Sequence, residues 1–348
     1  MSRRKRTGKG KAGKSTRRNS RRLSLIGAGA LLSLLAVLVT AGDIFVHQSR
    51  QALADAEESW PRFLVDTLYF FGNPAGDITD ALGWTGHDVV YTYDEEAPSG
   101  QVLFAGEPTR VSAPAPSDIT VLDRGEFKIG WSPSLRHPVW VAYHVTPQAP
   151  YQPGKRPNFM RDASANRSPS SGMYDKTGYD RGHLAPNFAI ASRFGEEMQR
   201  ATFLMSNIAP QSPQLNRGVW RDVEHRIAEL WSARWGEIWV IAGCVPSSNS
   251  ETLSGSDIDV PEKFYQLIVA QEGFDIRALA LVFGQDVSWG AWPTRHIVTI
   301  DELEAMTGLD FLPQLPSFIQ DPLEAELPTR LWPVRLLDIV RQIALRFD

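Results

Sequence analysis

Thr177-Gly178-Tyr179-Asp180-Arg181-Gly182-His183-Leu184-Ala185-Pro186-Asn187 opens the stretch on which the reading of this chain turns. It continues through Phe203-Leu204-Met205-Ser206-Asn207-Ile208-Ala209-Pro210-Gln211 and closes with Asn216-Arg217-Gly218-Val219-Trp220-Arg221-Asp222-Val223-Glu224. Within these 48 residues stand a histidine near an arginine, two asparagines in polar, turn-rich surroundings, and an acid eight residues past the second asparagine. An ordinary core segment has no use for that collection. A metal-assisted phosphodiesterase does, because it needs a base for water, a hard-cation site and a cationic clamp for phosphate. The stretch reads as the active site of a nuclease.

The 348 residues allow one large domain or two smaller ones, and 43% hydrophobic with 22% charged residues is a globular composition. The formal net charge of −4 hides a segregation. Residues 1–22 hold 11 of the 36 Lys and Arg and no acid, so the other 25 face 40 Asp and Glu, a formal −15 for the body. Phosphate neutralisation by Lys and Arg dominates affinity for polyanions, so a body this acidic is ill suited to clinging to long DNA. A local basic cleft with a divalent cation stays compatible with it. The single cysteine, Cys244, excludes an intrachain disulfide framework and an all-cysteine zinc site. It follows the apolar run Trp239-Val240-Ile241-Ala242-Gly243 and reads as a buried, inert thiol.

Residues 1–22 form a basic tail without apolar periodicity, expected to be disordered and cytoplasmic. Leu23 to Gly42 are 20 consecutive uncharged residues closed by Asp43. As a helix they would extend ~30 Å, the thickness of a bilayer core. With the flanking positive charge all on the N-terminal side, the body is expected outside the cytoplasm. Cleavage as a signal peptide after Val39-Thr40-Ala41 is the alternative, and a mitochondrial presequence a third. The run exceeds the usual hydrophobic region of a cleaved signal, which favours an uncleaved anchor over 23–42.

Residues 43–118 read as a juxtamembrane region and linker, with the boundary at Val111-Ser112-Ala113-Pro114-Ala115-Pro116-Ser117. An α+β pattern follows over 119–330. Strands are predicted at 127–131, 139–145, 238–243, 264–270 and 278–283, a loop over 151–172, and a short helix after Glu196. Trp220, Val223, Ile227, Leu230 and Trp231 fall on one helical face. Thr299 and Glu302 have capping-box spacing, and 331–348 holds a last amphipathic helix.

The chain resembles the DNA/RNA non-specific endonucleases, a family that includes secreted bacterial nucleases and mitochondrial endonuclease G. The resemblance is carried by Asp180-Arg181-Gly182-His183, Ser206-Asn207-Ile208-Ala209-Pro210-Gln211, Asn216 and Glu224 in that order, within a match from about Gly130 to Phe311. It implies a ββα-metal (His-Me finger) domain with a central antiparallel sheet, preceded here by the N-terminal transmembrane helix. It also implies His183 as general base, a role that suits an imidazole neutral near pH 7. Asn216 would be the direct ligand of Mg2+, with Mn2+ as the alternative ion, and Glu224 would act through a metal-bound water. Arg181 and Arg156 would grip phosphate, Arg156 from a loop of less secure alignment. Asn207 would support the site, with Asp180 structural and Gly182 giving backbone room. DNA and RNA are the implied substrates. The sequence leaves the oligomeric state open, a homodimer included. It also leaves open a phosphodiesterase for smaller esters and an inactive nucleic-acid-binding relative.

Overall fold

The computed structural model describes residues 87–246, 251–289 and 291–333. In chain order its strands are β1 (Val89–Thr92), β2 (Thr109–Arg110), β3 (Thr120–Asp123), β4 (Phe127–Ser132), β5 (His137–Val145), β6 (Asp180–His183), β7 (Ile208–Gln211), β8 (Ile238–Val245), β9 (Lys263–Glu272), β10 (Asp275–Gly284), β11 (Ile297–Val298) and β12 (Leu309–Asp310). The helices are α1 (Asn187–Thr202), α2 (Trp220–His225), α3 (Ser232–Trp235), α4 (Ile300–Thr307) and α5 (Ser317–Ala325). Wider π turns at Leu215–Val219 and Arg226–Trp231 join α2 and α3 into one helical rod over 215–235.

One antiparallel sheet in the order β1-β10-β9-β8-β5-β4-β3, with β11 on β10, organises the molecule. Every residue of β5 is buried, and so is every residue of β8. A strand covered on both faces reads as a continuous apolar run, which is why Val139-Trp140-Val141-Ala142-Tyr143 was legible. The two faces feed different cores. Val141, Tyr143, Val240 and Ala242 pack with Trp220, Val223, Ile227 and Trp231 of the helical rod. Trp140, Ala142, Trp239 and Ile241 pack with Ile300 and Leu303 of α4 and Ile319 and Leu323 of α5. At roughly 1.5–3 kcal/mol for each fully buried large apolar side chain, these faces dominate the favourable side of folding. Thr299 caps α4 as its sequence predicts: Glu302 N donates to Thr299 Oγ1 at 3.0 Å, and Thr299 N to Glu302 Oε2 at 3.0 Å.

Several boundaries differ from the sequence reading. The segment 111–117 does not separate a juxtamembrane region from the α+β body over the described part. β1 lies on its N-terminal side yet pairs with β10, and β2 pairs with β12. Ala105 and Ala115 are buried in the same core as α4. Backbone pairing with distant strands outweighed the local proline signal. α1 starts at Asn187, well before Glu196, and is kinked at Gly195, whose φ of 82° breaks the helical pattern in the sequence. Cys244 is buried as expected. Among the described residues no helix is long and apolar enough to cross a membrane; the predicted span 23–42, the tail 1–22 and most of the predicted helix 331–348 lie outside them.

Candidate active site

β6 and β7 form a two-stranded antiparallel ribbon with the register Asp180↔Gln211, Arg181↔Pro210, Gly182↔Ala209 and His183↔Ile208. The helical rod follows directly, giving a ββα unit. Nothing in Asp180-Arg181-Gly182-His183 favours a strand by propensity. The extended form comes from pairing and from the close approach of Gln211. A Cβ on residue 182 would lie 2.0 Å from Gln211 Oε1, so only glycine leaves room there.

His183 is 9% exposed, and its Nε2 has no hydrogen-bond partner among the described residues. Its ring stands against Phe203 at 4.8 Å, edge to face, and Phe159 at 5.4 Å. Burial, and secondarily the charge of Arg156, lower its pKa to about 3. The imidazole is therefore neutral at physiological pH, and Nε2 is a lone-pair acceptor or a donor according to tautomer. A depressed histidine makes the fold acid-sensitive. Between about pH 6.5 and about pH 3 the unfolded chain binds this proton while the folded one does not, so stability falls as pH falls through that window. Exchanging His183 for glutamine should recover about 2–3 kcal/mol of the stability lost between pH 7.5 and 4.5, read from urea midpoints of the two proteins.

Asn207 is fully buried, and its amide is spent on the backbone. Ala185 N donates to Oδ1 at 2.9 Å, while Nδ2 donates to Ala185 O at 3.0 Å and Thr202 O at 2.9 Å. It pins the turn after His183 and touches no reacting group, so its part is support. Asn216 lies in the first π turn, its N–H donating to Ser212 O at 2.9 Å. Ser212 is itself held by Gln285 through N to Oε1 at 2.7 Å and Oγ to O at 2.6 Å. Asn216 Nδ2 donates to Asp180 Oδ2 at 2.9 Å, which turns Oδ1 the other way.

Asp180 also takes both hydrogen bonds of a two-pronged Arg217 grip, at 2.8 Å each. This carboxylate therefore joins the strand of His183 to the helix of Asn216, a role that the sequence did not specify beyond structural. Exchanging Asp180 for asparagine should cost about 10–100-fold in activity or cation affinity, as loss of a group behind a ligand does. A divalent-cation titration of cleavage rate checks this.

Glu224 Oε1 accepts from Trp220 Nε1 at 2.9 Å, one turn back along α2. Trp220 is fully buried against Phe264 and Phe283 and so fixes the rotation of the rod. Glu224 keeps part of its surface in solvent, yet enclosure by protein pushes its carboxyl up to about 8, against the lowering effects of Trp220, Arg221 and Arg156. The i, i+4 spacing of Trp220 and Glu224 was the available signal for this pair. The sequence argument took eight residues of α-helix between Asn216 and Glu224. The structure instead places a π turn and a kink at Gly218 between them.

The two arginines expected to grip phosphate differ in their surroundings. Arg181 is tied down: Nε and Nη2 donate to Ser171 O at 3.0 and 2.7 Å, and Nη2 also pairs with Asp175. Its guanidinium lies over Phe159 and Tyr174 at 5.7 and 5.8 Å, so it props the wall of the His183 pocket. Arg156 is exposed, lies over Phe203 at 5.7 Å, and its charge reaches both His183 and Glu224. The structure brings His183, Arg156 and Glu224 together, and links Asn216 to the same ribbon through Asp180.

These residues fit a hard divalent cation. An amide oxygen oriented by its own NH2 is a neutral hard donor, and positive charge beside Glu224 would restore its ionised form. A separate carboxylate cluster, Asp301, Glu304 and Glu324, belongs to α4 and α5 on the opposite face of the sheet.

Known proteins resemble this chain in sequence and in fold. The sequence model of the DNA/RNA non-specific endonucleases matches residues 105–318. A nuclease of Nostoc sp. is 29% identical over 252 residues, 67% of this chain and 88% of that protein. The mitochondrial nuclease EXOG of Xenopus laevis is 28% identical over 205 residues, and the match covers 54% of this chain and only 56% of that one. Among solved structures, a chain of the EndoG/EndoGI complex superposes with a TM-score of 0.50 at 22% identity, covering 56% of this chain and 86% of that chain, a likeness of fold.

Proposed function

Because the chain belongs to the DNA/RNA non-specific endonuclease family, a family of generally metal-dependent hydrolases, we propose that it hydrolyses internal phosphodiester bonds of DNA and RNA without regard to the sugar. His183 is the general base, Arg156 the phosphate clamp, Asn216 the direct ligand of Mg2+ or Mn2+, and Glu224 its ligand through water. One observation carries this reading: Asp180, on the ribbon of His183, binds both Asn216 and Arg217 of the rod, so His183 and Asn216 stand on one braced ββα unit.

When bound, the cation supplies Lewis-acid stabilisation of charge on the phosphoryl group and the leaving oxygen. The chain's own residues do the rest. Phe159 and Phe203 keep the imidazole dry and oriented until substrate enters. A phosphodiester anion beside the ring then raises its proton affinity, because opposite charge favours the protonated form. His183 takes the proton of the attacking water at Nε2, the buried nitrogen that has no hydrogen-bond partner among the described residues. Arg156 offers paired N–H donors to the phosphate oxygens, a geometry that lysine cannot reproduce. Asn207 holds the 183–185 turn and Asp180 holds the amide of Asn216, so neither the base nor the ligand has to be ordered during turnover.

The test is cleavage of supercoiled plasmid DNA, RNA and bis-nitrophenyl phosphate by the full chain, with and without a chelator. Plasmid nicking and RNA degradation that stop on chelation and return with magnesium are expected. Turnover of the small ester alone would overturn the nucleic-acid reading in favour of a phosphodiesterase suited to the acidic body.

We also propose a single-pass topology, with 23–42 as the span and the catalytic body translocated, on the strength of the acid-free basic tail ahead of the apolar run. Protease added to intact cells or mitoplasts should remove the C-terminal domain. Recovery of soluble protein beginning near Gly42 would instead establish a cleaved signal.

A further inference from the structure

The loop that carries Arg156 is laid along α1. Tyr151 N donates to Ser192 O at 3.0 Å, and Gln199 Nε2 donates both to Gly154 O at 3.3 Å and to Asn187 Oδ1 at 2.9 Å. Met160 N then donates to Phe203 O at 3.0 Å. Fixed in this way, the loop presents an aromatic ring outward. Tyr151 is 51% exposed, and the nearest atoms of its ring lie 3.7 Å from where a Cβ would stand on Gly195. The ring therefore lies in ordinary contact distance of α1 at its kink.

Phe188 is 45% exposed, although it begins a helix whose next three residues are buried. Ser192, whose carbonyl accepts from Tyr151 N, donates its own Oγ to Phe188 O at 2.7 Å, so Phe188 stands one helical turn from the residue that anchors Tyr151. Phe188 follows His183 by five residues, and Tyr151 precedes Arg156 by five, which holds each ring within about 18 Å of a site residue along the chain. The loop itself is basic. It bears Lys155, Arg156 and Arg161, with Arg167 paired to Asp257, while Asp162, its one acid between 151 and 168, is buried against Arg124 and Ser206. Of the exposed acids on α1, Glu196 is paired with Arg200, leaving Glu197.

Exposed aromatic rings inside a positively charged track are how proteins take hold of unpaired nucleic acid, since every base has a π face to stack and a phosphate to neutralise. We propose that Tyr151 and Phe188 form a stacking platform for unpaired nucleobases flanking the scissile phosphate, so that the strand is presented single-stranded to the site. This deepens the functional reading above and rests on it. It also answers the acidic body: stacking supplies affinity that bulk electrostatics withhold.

The test uses the full chain and oligodeoxythymidylate carrying one 2-aminopurine. In the His183→Ala background, binding should quench the probe, and Phe188→Ala or Tyr151→Ala should abolish most of the quenching. With His183 intact, each alanine variant should raise KM for the single strand about ten-fold or more, and raise it more than for a duplex of the same sequence. Phe188→Trp and Tyr151→Phe should restore the wild-type values, and Phe188→Leu should not. Restoration by leucine as complete as by tryptophan would mean that the side chain only fills space, and would overturn the platform. So would KM values for both alanine variants within two-fold of wild type while the wild type cuts nucleic acid. A wild type that cuts no nucleic acid at all would instead defeat the functional reading beneath it.

Discussion

Exchanging His183 for alanine should lower phosphodiester cleavage by about 10²–10⁴-fold, the usual loss when a positioned base is removed. The fold should survive. The ring stands in a pocket bounded by Phe159 and Phe203, and its open nitrogen makes no hydrogen bond among the described residues that a neighbour would lose. Circular dichroism and cation binding are therefore expected to match wild type, because the base is not a ligand. Imidazole added to the His183→Gly protein should restore part of the rate, since a diffusible base can enter the space the side chain leaves. A His183→Ala protein that cuts DNA at the wild-type rate would refute the mechanism, whatever the family.

Exchanging Asn216 for alanine should also lower the rate at ordinary magnesium concentrations by at least about 10²-fold, exceeding the usual cost of losing a group behind a ligand. The loss has a different signature. The cation loses its direct protein donor, so the rate should climb with magnesium far beyond the concentration that saturates wild type. The Asp180 carboxylate would keep its two bonds from Arg217, so the ribbon and the rod should stay joined. Rate against magnesium concentration separates the two variants: the curve shifts for Asn216→Ala and only drops for His183→Ala. Identical magnesium dependence in the Asn216 variant and wild type would remove Asn216 from the cation site.

The difference between Arg156 and Arg181 shows where sequence reasoning reaches its limit. Arg181 sits inside the motif, so proximity along the chain recommended it, yet Ser171, Asp175, Phe159 and Tyr174 hold its guanidinium. Arg156 lies 27 positions before His183, in a loop with no periodic pattern to place it. It arrives near His183 because Met160 pairs with the Phe203 to Met205 segment and Gln199 secures Gly154.

What the chain declares by itself is whatever rests on local pattern and residue chemistry. The buried strands β5 and β8 appear as apolar runs because both faces are covered. The rod shows its apolar face, α4 shows its capping box, and the presence together of His183, Asn207, Asn216 and Glu224 names a chemistry. Tertiary structure alone decided that β6 and β7 are strands, since pairing and the Gln211 contact at Gly182, rather than propensity, keep them extended. It also decided that β1 and β2 pair into the same body as β10 and β12, and that Asp180 bridges ribbon and rod. For the ribbon, for β1 and β2 and for Asp180 the deciding partner lies 20 or more positions away, and a hydrogen bond or a steric exclusion across that distance leaves no mark in the residues nearby.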